Sequence, residues 1–97
     1  MLTEKELIKL ANDYVTCFED EVGEALVVPD ELMIKKSYGI YFRYHSKIYY
    51  ETKDPIHKLL GNGPFLVENK TGKIIEFGTA HNIEFYIQEY EAGRYSG

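Results

Sequence analysis

The stretch from Phe65 to Phe77 constrains the fold of this chain more than any other. Phe65-Leu66-Val67 and Ile74-Ile75-Glu76-Phe77 are short apolar runs of the kind that build strands. Between them, Asn69-Lys70-Thr71-Gly72 carries the residues of a tight turn. The Asn is expected to bond its side chain back onto the local backbone. Gly72 is expected to take the left-handed conformation that closes a type I turn into a bulged hairpin. Gly61, Gly63 and Pro64 mark a sharp entry into the hairpin, and Gly78-Thr79 marks its exit. The block holds no cluster of titratable groups, so its first role is structural.

The N-terminal segment signals a helix. Thr3 and Glu6 have the spacing of a capping box, with Leu2 and Leu7 placed as a hydrophobic staple. Leu7, Leu10, Ala11, Tyr14, Cys17, Phe18 and Val22 then recur at three- and four-residue steps, which predicts one helix running to Gly23. Ala25 to Val28 reads as a strand ended by Pro29-Asp30, while Leu32 to Lys36 is either an edge strand or an ordered connection. Tyr38 to Tyr44 is the clearest strand, with Tyr38, Ile40, Phe42 and Tyr44 on one face and Gly39, Tyr41 and Arg43 on the other. A turn at His45-Ser46-Lys47 leads to a returning strand, Ile48 to Thr52. Ile56 to Leu60 suits a short helical turn. Asn82 opens a last helix, in which Ile83, Tyr86, Ile87 and Tyr90 form an apolar stripe, and Ala92 to Gly97 is expected to fray. The order predicts an α+β domain: an N-terminal helix, an antiparallel sheet of four to five strands and a C-terminal helix.

At 97 residues the chain is expected to form a single domain, 1–97. The start MLTEKELIKL lacks the basic-then-apolar pattern of a signal peptide, and the apolar runs are too short to span a bilayer. A cytoplasmic protein without membrane contacts is the expectation. The lone Cys17 has no partner for an internal disulfide and reads as a buried structural thiol. A net charge of −5 argues against nucleic-acid binding and suits either solubility or a basic protein partner. Nine Tyr against five Phe suits half-wet sheets and contact surfaces, where the hydroxyl stays hydrated.

No catalytic set is legible. His45, His57 and His81 are scattered, without the spacing of metal ligands. Thr71-Gly72-Lys73 lacks the earlier glycine of a phosphate loop and leads into a strand, while Gly61-Asn62-Gly63 runs into a proline. The chain is therefore expected to be no enzyme and to need no cofactor or metal. Two features suit binding. Tyr41, Arg43, Tyr49 and Glu51 are expected to share the second face of the middle strands, where Tyr and Arg would serve as anchors. That face suits a position under a helix, or a plain wet sheet face, as well. Glu19, Asp20, Glu21 and Glu24 crowd the end of the first helix, against its macrodipole, which suits either a basic partner or plain solvation.

Several motifs recur together in one order: Tyr38-Gly39, Tyr49-Tyr50-Glu51-Thr52, Leu59-Leu60-Gly61-Asn62-Gly63-Pro64, Thr71-Gly72, Gly78-Thr79-Ala80 and Glu89-Tyr90. In these the chain resembles the immunity protein 35 family, also called the YrhB type, over more than half of its length. The chain departs from that family at Ile40, where members often carry Trp, and at Asn82, where a Pro usually opens the helix. The resemblance implies a bacterial immunity protein that binds and neutralises a cognate toxin by stoichiometric occlusion. Such a protein would be a monomer or weak homodimer, with Tyr41, Arg43, Tyr49 and Glu51 as contacts and Glu19, Asp20 and Glu21 as steering charges. Two other readings are a chaperone-like stress protein that holds unfolded clients loosely and a regulatory module of a larger protein.

Overall fold

The capping box at the N-terminus forms. The Thr3 hydroxyl accepts from the Glu6 amide at 3.2 Å, and the Glu6 carboxylate accepts from the Thr3 amide at 2.9 Å. These bonds satisfy amides that the first turn leaves orphaned and open helix α1, Glu4–Thr16. Leu7, Ala11 and Val15 are its buried residues, with Leu2, Leu10 and Tyr14 packed beside them.

The helix does not run on to Gly23. Asn12 and Thr16 turn their side chains back onto the carbonyls of Ile8 and Asn12, a pattern that competes with the helical ladder. The chain turns at Cys17-Phe18 and resumes as the short α2, Glu19–Val22, which Gly23 closes at φ 81°. Two expectations fall with the break. Cys17 is exposed, not buried, and Val22 lies 39% exposed, off the core. The acids Glu19, Asp20 and Glu21 open a helix, where the macrodipole favours negative charge.

The remaining elements follow in order, across a computed structural model that describes residues 1–54 and 63–94. Strand β1 is Leu26–Val27, followed by a 3-10 turn at Asp30–Leu32 and by β2, Ile34–Lys36. Next come β3, Gly39–Phe42, and β4, His45–Ser46, with helix α3 at Lys47–Thr52. The hairpin strands are β5, Phe65–Glu68, and β6, Ile74–Glu76, and α4 is Ile83–Glu91. The expected helical turn at Ile56 to Leu60, Gly61, and the last residues of the expected fraying end lie outside the described residues.

Four strands pair antiparallel in the order β2-β3-β5-β6, and β1 pairs with β4 in a separate two-stranded ladder. Leu32 to Lys36, open in the sequence, divides into the end of the 3-10 turn and an edge strand. The hairpin register sets Phe65 opposite Glu76 and Val67 opposite Ile74. Gly72 has φ 77° and its amide bonds to the Glu68 carbonyl at 2.9 Å, as expected of the bulged turn. Asn69 behaves otherwise. Its side-chain amide reaches the Ser37 carbonyl at 2.9 Å, joining the hairpin to the turn between β2 and β3. At the entry, a Cβ on Gly63 would lie 2.3 Å from the Phe77 carbonyl oxygen, so only glycine fits.

The segment Ile48 to Thr52 does not return as the expected strand but lies in α3. Ser46, fully buried, caps it by accepting from the Tyr49 amide at 3.3 Å, and Lys53 ends it in the left-handed region at φ 58°. Pairing with β1 stops at Ser46, so no neighbouring strand is left to hold Ile48-Tyr49-Tyr50 extended.

Helices cover both faces of the sheet. Ile40, Phe42, Phe65 and Val67 pack against α1, while Tyr41 and Leu66 pack with Phe77 and the α4 residues Ile83, Tyr86 and Ile87. β3 is consequently buried at every position, and the polar-out alternation expected of a half-wet strand is absent there. The α4 stripe forms as expected, with Asn82 accepting from the Phe85 amide at 3.0 Å.

Candidate functional site

The expected contact face does not assemble. Tyr41 is 0% exposed beneath α4. Arg43 is half-buried, with a long 3.5 Å contact from its guanidinium to the Leu32 carbonyl and a buried Nε that has no partner among the described residues. Tyr49 and Glu51 sit on α3, away from β3. Glu19 is engaged at home, where its carboxylate accepts from the Leu26 amide at 2.8 Å and holds the start of β1. Asp20 and Glu21 are exposed and free to shape the surface field. The covering-helix alternative therefore describes Tyr41.

The structure brings together a different set. A cleft of about 230 Å³ lies between the end of α1 and the open end of the hairpin. Tyr14, Phe18, Tyr44, Pro64, Phe65 and Glu76 line it. The rings lean on one another: Tyr14 meets Phe18 edge-to-face at 4.9 Å and Phe65 at 4.7 Å, while Phe18 stacks on Tyr44 at 6.1 Å. The turn at Cys17-Phe18 is what brings Phe18 to this place. Glu76, exposed on β6, supplies the one carboxylate among the described lining residues and lies close enough to act on the Tyr14 phenol. Burial first, then Glu76, pushes the Tyr14 phenol well above its ordinary range, and the same two causes raise Tyr44. Both phenols stay neutral at physiological pH. The sequence places Tyr14 and Phe18 on one helix face, but nothing local joins them to Tyr44 and Glu76.

On the other face of the sheet, tyrosines form a relay. The Tyr38 hydroxyl donates to the Glu91 carboxylate at 2.8 Å, and its oxygen lies 2.7 Å from that of Tyr41. With its single proton given to the carboxylate, Tyr38 must accept from Tyr41. Tyr90 donates to Glu68. These bonds tie β3 and β5 to α4 and give three of the nine tyrosines a structural role.

Among the described residues no group of three or more His, Cys, Asp and Glu is arranged to hold a metal. His45 lies against Tyr49 and His81 stacks on Phe85, while His57 is outside the described residues. No described helix is long and apolar enough to cross a membrane.

The fold and the cleft define a small α+β protein in which a four-stranded antiparallel sheet is held between two helices, with an aromatic cleft at one end of the sheet. The chain is 33% identical over 91 residues to the uncharacterized protein YrhB of Escherichia coli strain K12, which covers 94% of this chain and 90% of that protein. It belongs to the YrhB family. No protein-family model matches the chain, and no solved structure does.

Proposed function

We propose that this chain is a cytoplasmic immunity protein that binds one cognate bacterial toxin and neutralises it by occlusion, without catalysis or cofactor. The observation that carries the reading is membership of the YrhB family, taken together with the ordered motifs in which the chain resembles the immunity protein 35 type. Several of those motif residues serve the fold: Gly72 closes the hairpin turn, Gly63 sits where a Cβ would strike the Phe77 carbonyl, and Tyr38 and Tyr90 tie the sheet to α4. On this reading the contact surface draws on exposed residues outside that set. A holdase needs a broad apolar surface. Met1, Val22 and Ile48 are the exposed large hydrophobics among the described residues, which favours the specific binder.

The test is titration of the toxin encoded beside this gene with purified protein. Activity should fall linearly and reach zero at one equivalent. A toxin that keeps full activity in excess protein would end the immunity reading.

A further inference from the structure

We propose that the cleft between α1 and the hairpin receives one arginine side chain of a protein partner, stacked among Tyr14, Phe18 and Tyr44 and paired with Glu76. Aromatic faces carry negative quadrupoles and attract cations, most strongly where water is displaced. Here rings from α1, from the turn that follows it and from the segment after β3 crowd one space, already held by mutual contacts at 4.9 and 6.1 Å. Their order is in place before any ligand arrives, so little entropy is lost on binding.

Charge selects the occupant. Glu76 is exposed and lines the cleft beside Tyr14, and a carboxylate offers about four acceptor sites, so acceptors remain for a cation even where the phenol takes one. No Lys or Arg among the described residues pairs with it. An anion would meet this carboxylate, and an apolar side chain would strip water from it without replacing the lost hydrogen bonds. A cation does neither. Asp20 and Glu21, exposed two and three residues after Phe18, add negative charge to the surface of the neighbouring helix.

Shape selects among cations. A guanidinium is planar, stacks on rings and can bond a carboxylate with two parallel N–H groups, whereas an ammonium is a compact and strongly hydrated point charge. A space of about 230 Å³ is several times the roughly 30 Å³ that a water occupies, enough for the end of a long side chain. The proposal takes from the immunity reading only the identity of the partner. The cleft itself can be tested without a toxin.

The experiment is an NMR titration of the full chain with Nα-acetyl-arginine amide and its neutral isostere Nα-acetyl-citrulline amide, following the ring signals of Tyr14, Phe18 and Tyr44. Arginine should bind saturably and at least about tenfold more tightly than citrulline, a factor equal to about 1.4 kcal/mol and within the range of a desolvated cation–π contact. Glu76→Gln, exposed on an edge strand and expected to keep its melting temperature, should abolish the preference. Phe18→Leu should weaken arginine binding. Equal binding of the two probes, or arginine shifts confined to Asp20 and Glu21, would overturn the site. A lysine probe binding as tightly as arginine would overturn the choice of guanidinium. Because no toxin is present, a cleft that binds arginine beside a toxin that stays active would leave this site standing and remove the immunity reading alone.

Discussion

Ser46 shows how much one hydroxyl decides. It ends β4, is fully buried, and accepts the amide of Tyr49, so the chain enters α3 where its β-branched and aromatic residues suggest a strand. Ser46→Ala should destabilise the protein by about 0.5–2 kcal/mol, the usual cost of losing an N-cap, read as a lower urea midpoint at unchanged slope. Gly72 is the second such residue. Its backbone is left-handed, and a Cβ there would stand 3.0 Å from the methyl groups of both Leu2 and Leu10. Gly72→Val should cost about 1–3 kcal/mol, since a β-branched residue is strained at positive φ. A melting temperature that does not move would contradict the left-handed turn.

At the scale of elements, the end of α1 carries the most consequence. Its apolar periodicity runs unbroken through Cys17 to Val22, so a sequence pattern alone predicts one long helix. Side-chain bonds from Asn12 and Thr16 to backbone carbonyls intervene, the helix ends, and Phe18 turns into the cleft. Cys17 is thereby left in solvent. One thiol per native chain should therefore react with a disulfide reagent about as fast as in denaturant; a protected thiol would mean that the helix continues. β3 teaches a related lesson. Strict alternation separates Ile40 and Phe42 from Tyr41 correctly, yet period two cannot tell a face open to water from one lying under a second helix.

For the whole molecule, the tyrosines couple stability to pH. Burial raises Tyr14, Tyr38, Tyr41, Tyr44 and Tyr90 above the ordinary value of about 10, with Tyr90 pushed up to about 12. The folded state therefore keeps protons that the unfolded state releases. The stability these phenols contribute is complete below about pH 10 and is lost progressively as pH rises toward the folded values. Spectrophotometric titration should show fewer phenolates at pH 11 in the native protein than in urea, with the melting temperature falling over the same interval. Coincident native and denatured titrations would refute the relay. The net charge of −5 acts at this scale too. Neutralising Asp20 and Glu21 with Asn and Gln should slow association with a basic partner, and the difference should shrink at high salt, where their field is screened.

By itself the sequence determined the features that close over short distances: the capping box at Thr3, the bulged turn at Gly72, the Asn82 cap, the α4 stripe and the α+β order. Each rests on residues within a few positions of one another, where backbone sterics and single hydrogen bonds decide. Tertiary structure alone decided which faces were covered. Tyr41 was legible as a strand residue and illegible as a core residue, because its burial depends on α4, distant in the chain. The cleft was equally hidden, since Tyr14, Tyr44 and Glu76 meet only when the sheet places the end of α1 over the hairpin. Local propensity acts along the chain, whereas burial and the meeting of charges with rings act across it.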